Sequence, residues 1–148
     1  MDKYPSFSDE TRIREDTTCW ALAMSEKSVE RVLQYYGSNA VTFGLAPPLQ
    51  ASADRASREA ALTEWFDTWD GRVDIDIRNL RLEIGPERAF AFSTNHISGK
   101  KKSGGYVELC VRSTVGYKKV DGRWLIVHEH QSVPFDMKTL EACVDLTL

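Results

Sequence analysis

Near Val73 the chain changes its hydrophobic period, and no other feature restricts its fold so strongly. Upstream, apolar residues recur at helical spacing; downstream they alternate. Ile13, Trp20, Ala21 and Met24 fit one helical face, and Val29, Val32, Leu33 and Tyr36 follow the i, i+3, i+4, i+7 pattern of a second helix. Between them "MSEKS" offers Ser25 or Ser28 as a cap, which predicts a break. Gly37 is the expected terminator of the second helix, and "AVTF" reads as a short strand. "LAPPLQASAD" predicts a loop, because two adjacent prolines permit little else. A third helix is expected from about Asp54, with Leu62, Trp65, Phe66 and Trp69 on one face and "DG" at its end.

The alternating half contains four segments, "VDIDIRNLRLEI", "RAFAFSTNHI", "GYVELCVRSTVGYKKV" and "RWLIVHEHQSV". Short connections ("GPE", "SGKKKSG", "DG") join them, so they predict an antiparallel meander. In the first, apolar parity switches from Val73, Ile75 and Ile77 to Leu80, Leu82 and Ile84, which predicts a bulge near Arg78–Asn79. Helices followed by long antiparallel strands make an α+β domain, with a curved antiparallel sheet packed on three N-terminal helices. "WLIV" in the last strand is apolar on both faces, as in strands covered on both sides. Three helices cover one face, so a homodimer through the outer sheet face is expected.

At 148 residues, a single domain spanning 1–148 with room for a modest cavity is the simplest organisation. Nineteen basic against twenty-two acidic residues give a net charge of −3, which argues against nucleic acid as the principal partner. No apolar run approaches a membrane-spanning length, and "MDKYPSFSDE" has no apolar signal-peptide segment. Cys19, Cys110 and Cys143 are odd in number, far apart and without metal-ligand spacing. Reduced, partly buried thiols in a cytoplasmic protein are therefore expected.

The residues that draw attention to chemistry are in "RWLIVHEHQSVPF". In an unbroken strand Trp124, Ile126, His128, His130 and Ser132 point one way. Alternate residues lie about 6.8 Å apart, too far for the imidazoles to bond each other but suited to one shared ligand. With "DG" as a two-residue turn, Val120 pairs with Arg123, which sets Val115 opposite His128 and Ser113 opposite His130. Arg112 and Thr114 then share the reverse face with Glu129 and Gln131; a bulge in this hairpin would reverse the assignment. Three readings of the histidines compete. They serve as acid–base or hydrogen-bonding groups in a pocket, as metal ligands with His96 as a third, or as inert groups satisfied at a strand end. No diagnostic carboxylate or thiolate accompanies them, so neither a metal nor another cofactor is expected. Trp20, Trp65, Trp69, Tyr35, Tyr36, Phe43, Phe90 and Phe92 are first of all core residues. Together they would make any cavity apolar with a few polar groups, fit for a small organic ligand.

An early tryptophan helix, "YY" before a short strand, "FGLAPPL", "EWFDTW", "RST" and "DGRWLIVHEHQSVPF" together resemble the SnoaL-like, ketosteroid-isomerase-like group of the nuclear-transport-factor superfamily. The resemblance runs from about Arg12 to Phe135. Its H-x-H-x-S-x-P element is also similar to the association domain of calcium/calmodulin-dependent kinase. It implies a cone: a strongly curved sheet wrapped round three helices, a deep pocket, and a dimer. It further implies a pocket with His128 and His130 as candidate catalytic groups. Trp20, Tyr36, Phe43, Trp65, Arg112 and Ser132 are the candidate contacts to substrate. Aligned on "YYGSNAVTF", the steroid isomerase's aspartate base falls at Gly44, beside Leu45, and its oxyanion-stabilising tyrosine falls at Trp20. A side chain that cannot titrate abstracts no proton, so steroid isomerisation by that mechanism is not expected. The competing expectation is an association module that only assembles.

Overall fold

The computed structural model describes residues 7–148. The elements are helices α1 (Phe7–Ser25) and α2 (Val29–Leu33), strand β1 (Tyr36–Phe43), helix α3 (Arg55–Asp67), then strands β2 (Trp69–Ile84), β3 (Arg88–Lys101), β4 (Tyr106–Val120) and β5 (Arg123–Ser132). The strands form one curved sheet in the order β1-β5-β4-β3-β2. Strands β2 to β5 are the expected antiparallel meander, and β1 joins β5 in parallel at the edge. Among the described residues no helix is long and apolar enough to cross a membrane.

The break after α1 falls where the sequence places it, with Lys27 at φ 57°. Ser28 occupies the N-cap position of α2 without a side-chain cap bond. Ser25 is buried, and its hydroxyl accepts from the Ile75 amide at 3.3 Å, tying α1 to β2. The second helix is shorter than its apolar pattern suggests. It ends at Leu33, and Tyr36 already belongs to β1. The Ile126 amide donates to the Tyr35 carbonyl at 2.8 Å, so pairing with a distant strand overrides the local helical preference. Gly37 consequently does not adopt the left-handed conformation of a helix terminator.

Helix α3 opens on Asp54, whose carboxylate accepts from the Ser57 amide at 2.8 Å and from the Ser52 hydroxyl. These bonds, the one from Ser52 foremost, hold the Asp54 carboxyl at a pKa of about 2. The helix stops before Trp69, which starts β2 instead of completing a helical face. Gly99 lies against that indole: a Cβ there would sit 2.9 Å from Cε3 of Trp69 and 3.2 Å from the Arg72 carbonyl oxygen. The β2 bulge is where parity predicts it, with Asn79 at φ 55° and a register shift between Arg78 and Arg81. Strand β3 runs on through Lys101, so the lysine-rich connection is mostly strand, closed by Gly104 and Gly105 at positive φ. Asp121 and Gly122, both at positive φ, form the tight turn into β5.

The sheet's concave face meets the helices in patches. Ile13 of α1 packs with Ala89, Ala91, Tyr117, Trp124 and Ile126. Farther along, Trp69, Val73, Ile97 and Val111 form a second patch, and Ala23, Val32 and Phe66 join the helices to one another. Full burial of the larger of these side chains, such as Ile13, Val73 and Phe66, contributes about 1.5–3 kcal/mol each. The Trp124 indole N–H donates to Asp9 Oδ1 at 3.1 Å, and Lys119 Nζ reaches the same oxygen at 3.0 Å, so the start of α1 is fastened to β4 and β5. The three cysteines are free thiols; Cys19 is exposed, contrary to the expected partial burial.

Candidate functional site

Strand β5 carries one residue more than its neighbour. Tyr117 pairs with Ile126 and Gly116 with His128, which leaves Val127 without a partner. The extra residue reverses parity. Trp124 and Ile126 face the interior, and beyond Val127 it is Glu129 and Gln131 that do so. The register sets Val115 opposite Glu129, Thr114 opposite His130, Ser113 opposite Gln131 and Arg112 opposite Ser132. The expectation that the imidazoles enter the interior is therefore corrected: His128, His130, Ser132 and Arg112 lie on the convex face.

Behind Glu129 is a cavity of about 550 Å³. Trp20 and Met24 of α1, Leu62 and Trp65 of α3, and Ile97 and Leu109 of the sheet give it apolar walls. The exposed loop after β1, including Gly44, Leu45, Pro47 and Pro48, borders it. Set into these walls is a compact polar group. The Tyr36 hydroxyl donates to Glu129 Oε2 at 2.6 Å, and the Thr42 hydroxyl to Oε1 at 3.3 Å. Arg58 of α3 reaches Glu129 Oε1 at 3.5 Å, donates to Thr42 Oγ1 at 2.8 Å and the Ala40 carbonyl at 2.6 Å, and lies 4.5 Å from the Tyr36 ring centre.

Burial pushes the Glu129 carboxyl above its ordinary pKa, against the opposing pull of the Tyr36 bond and the Arg58 charge. Tyr36 is raised further, by burial and then by the carboxylate beside it, so it stays a phenol and a donor. A carboxyl group whose proton is held more tightly than usual, at the wall of an apolar space, is chemically suited to exchange a proton with a compound beside it. Asn95, buried on the cavity wall, accepts from the Ser93 hydroxyl at 2.8 Å; its amide nitrogen has no partner among the described residues. Gln131 adds a second amide to the same wall.

A family model for the SnoaL-like domain matches residues 13–136. The chain belongs to the SnoaL-like family. An NTF2-like protein of unknown function from Pseudomonas putida KT2440 superposes on this SnoaL-like chain with a TM-score of 0.86 at 26% identity, covering 97% of this chain and 99% of that one. A ketosteroid isomerase-like protein from Erwinia carotovora atroseptica gives 0.73 at 16% identity, covering 86% and 97%. A cystatin-like-fold protein of unknown function from Nostoc punctiforme gives 0.70 at 13% identity, covering 85% and 91%. Comparison with curated proteins finds no match.

Within this SnoaL-like cone, four of the sequence candidates meet at the cavity: Trp20, Tyr36, Phe43 and Trp65. Gly44 and Leu45 border it too, so the position aligned with the isomerase's aspartate is at the cavity but offers no titratable group. The carboxylate comes from Glu129, on another strand. The histidines are not among the lining residues. His128 Nδ1 donates to the Val41 carbonyl at 2.8 Å, and His130 is exposed. Phe43 bridges the two settings, bordering the cavity while its ring meets both imidazoles edge-on, at 4.9 and 5.4 Å. Arg112 donates to the Ser132 hydroxyl at 3.1 Å. His96 is bonded to Glu108 at 2.6 Å, and among the described residues no cluster of three or more His, Cys, Asp or Glu is placed to hold a metal.

Proposed function

We propose that this protein binds a small, mainly apolar organic compound inside the cone and that Glu129 exchanges a proton with it. The observation that carries this reading is the Glu129 carboxyl bonded to the Tyr36 phenol at 2.6 Å in the wall of an otherwise apolar cavity. Tyr36 and Thr42 orient the carboxyl, Arg58 stabilises its ionised form, and the free amide of Asn95 offers a donor to a ligand oxygen. The compound class that suits such a wall is an enolisable ketone or a similar carbonyl compound. The proton-transfer role moves from the two histidines to the glutamate between them, because the cavity is bordered by the glutamate.

The test is proton exchange at carbon. Incubated in D2O with 2-tetralone, the wild-type protein should accelerate loss of the C1 proton signals by NMR, and Glu129→Gln should reduce that acceleration at least tenfold, or about 1.4 kcal/mol. Equal rates in the two proteins would defeat the acid–base role. Native mass spectrometry of freshly purified protein, searched for a co-purified compound, tests binding alone.

A role in assembly accompanies this reading. Phe90 is 48% exposed on the convex face and stacks on Phe92 at 6.0 Å, which favours a second copy of the chain against that face. Sedimentation should give a dimer; a monomer at micromolar concentration rules this out.

A further inference from the structure

The charges around the cavity do not balance. Among the described residues three charged side chains border it, Arg58, Lys101 and Glu129. Arg58 and Glu129 are engaged with each other, and the guanidinium is further committed to Thr42 and to the Ala40 carbonyl. Lys101 has no such partner. Its ammonium donates to the Thr68 hydroxyl at 2.7 Å and lies 3.6 Å from the centre of the Trp69 indole and 6.0 Å from that of Trp65. Among the described residues no carboxylate is within ion-pair distance of it, whereas the adjacent Lys100 pairs with Asp70 at 3.3 Å. An ammonium has three donors, and one is used. With Glu129 ionised, the lining therefore carries one positive charge in excess.

We infer that the compound taken into the cavity bears a carboxylate, which pairs with Lys101 while its apolar body runs along the sheet towards Glu129. This rests on the reading that the cavity binds a small organic compound, and narrows it to an acid. The register supports the orientation. Glu129 lies opposite Val115, which lies opposite Ala91, whereas Lys101 is at the far end of that same strand β3. Charge and proton-transfer group thus mark different ends of the cavity, with Ile97, Val107 and Leu109 along it. A carboxylate suits this setting better than a phosphate. One ammonium beside two indole faces provides a single charge and few donors, whereas a phosphate dianion calls for several convergent ones. Trp65, only partly buried and at the cavity wall, also offers aromatic surface for an unsaturated or aromatic body beside the acid group.

The probes are 2-naphthoate and its neutral amide, 2-naphthamide, which share one shape and differ in charge. Titrated against tryptophan fluorescence at low ionic strength, the acid should bind about tenfold tighter than the amide. The preference should shrink as salt is added. Lys101→Met should abolish it by weakening the acid far more than the amide, and Lys101→Arg should retain it. Equal affinity of acid and amide for the wild-type protein would overturn the carboxylate assignment and leave the cavity reading standing. So would a preference that survives in Lys101→Met. Failure of both probes to bind would remove the two readings together.

Discussion

Before Val127, strand β5 turns Trp124 and Ile126 into packed interior; after it, the strand turns Glu129 and Gln131 into a hollow. The spacing is the same in both halves and the surroundings are opposite. In the first half an indole and an aliphatic chain meet Ile13 and Tyr117, and the indole N–H is satisfied by Asp9. In the second a carboxyl is withdrawn from water without being fully neutralised. One unpaired residue separates stability from chemistry on a single strand, and the costs of disturbing the two halves should differ accordingly.

The largest effect is expected in the first half. Trp124→Ala removes a buried aromatic and should cost about 3–5 kcal/mol in urea denaturation, with little change in probe affinity in the protein that remains folded. In the second half, Tyr36→Phe leaves the carboxylate with one donor fewer and should cost about 1–2 kcal/mol when Glu129 is ionised.

The pH dependence sharpens the contrast. Because the native state holds the Glu129 proton more tightly than the unfolded chain does, its contribution falls as pH rises from the ordinary glutamate range through the raised value, then levels off. The difference in stability between wild type and Glu129→Gln, followed across pH, should show this descent. Tyr36→Phe should extend it to higher pH, because the lost bond is one that lowers the Glu129 pKa. A difference that rises with pH would contradict the burial argument. The smallest effect belongs to the convex side. Replacing both His128 and His130 with alanine should cost less than about 1 kcal/mol and leave probe binding unchanged; a large loss of binding would return the histidines to the site.

The two bulges explain what the sequence reveals and what it hides. In "VDIDIRNLRLEI" apolar and polar residues alternate cleanly, so the insertion at Asn79 appears as a change of phase. In "WLIVHEHQ" four apolar residues precede four polar ones, both phases look alike, and nothing betrays the extra residue. Simple alternation therefore puts Glu129 on the wrong face together with its neighbours. The α+β architecture, the meander and the aromatic walls from Trp20 and Trp65 are legible because they depend on period and bulk. Tyr36 reads as helical because its strand partner is ninety positions away (Ile126), and no local pattern reports that pairing. Arg58 has the appearance of one more surface cation on an amphipathic helix, and only packing against β1 makes it part of the site.

The bare backbone at Gly99 has a corollary for what the cone can admit. The hydrogen there stands where any side chain would press on the Trp69 indole, and that ring is part of the lining. A single methyl there would force the ring or the backbone at Arg72 to give way, and any shift of the ring would reshape the chamber without the methyl ever touching a guest. The capacity of the protein is thus adjusted from the back of its wall, at a position that an inventory of contacting side chains would pass over.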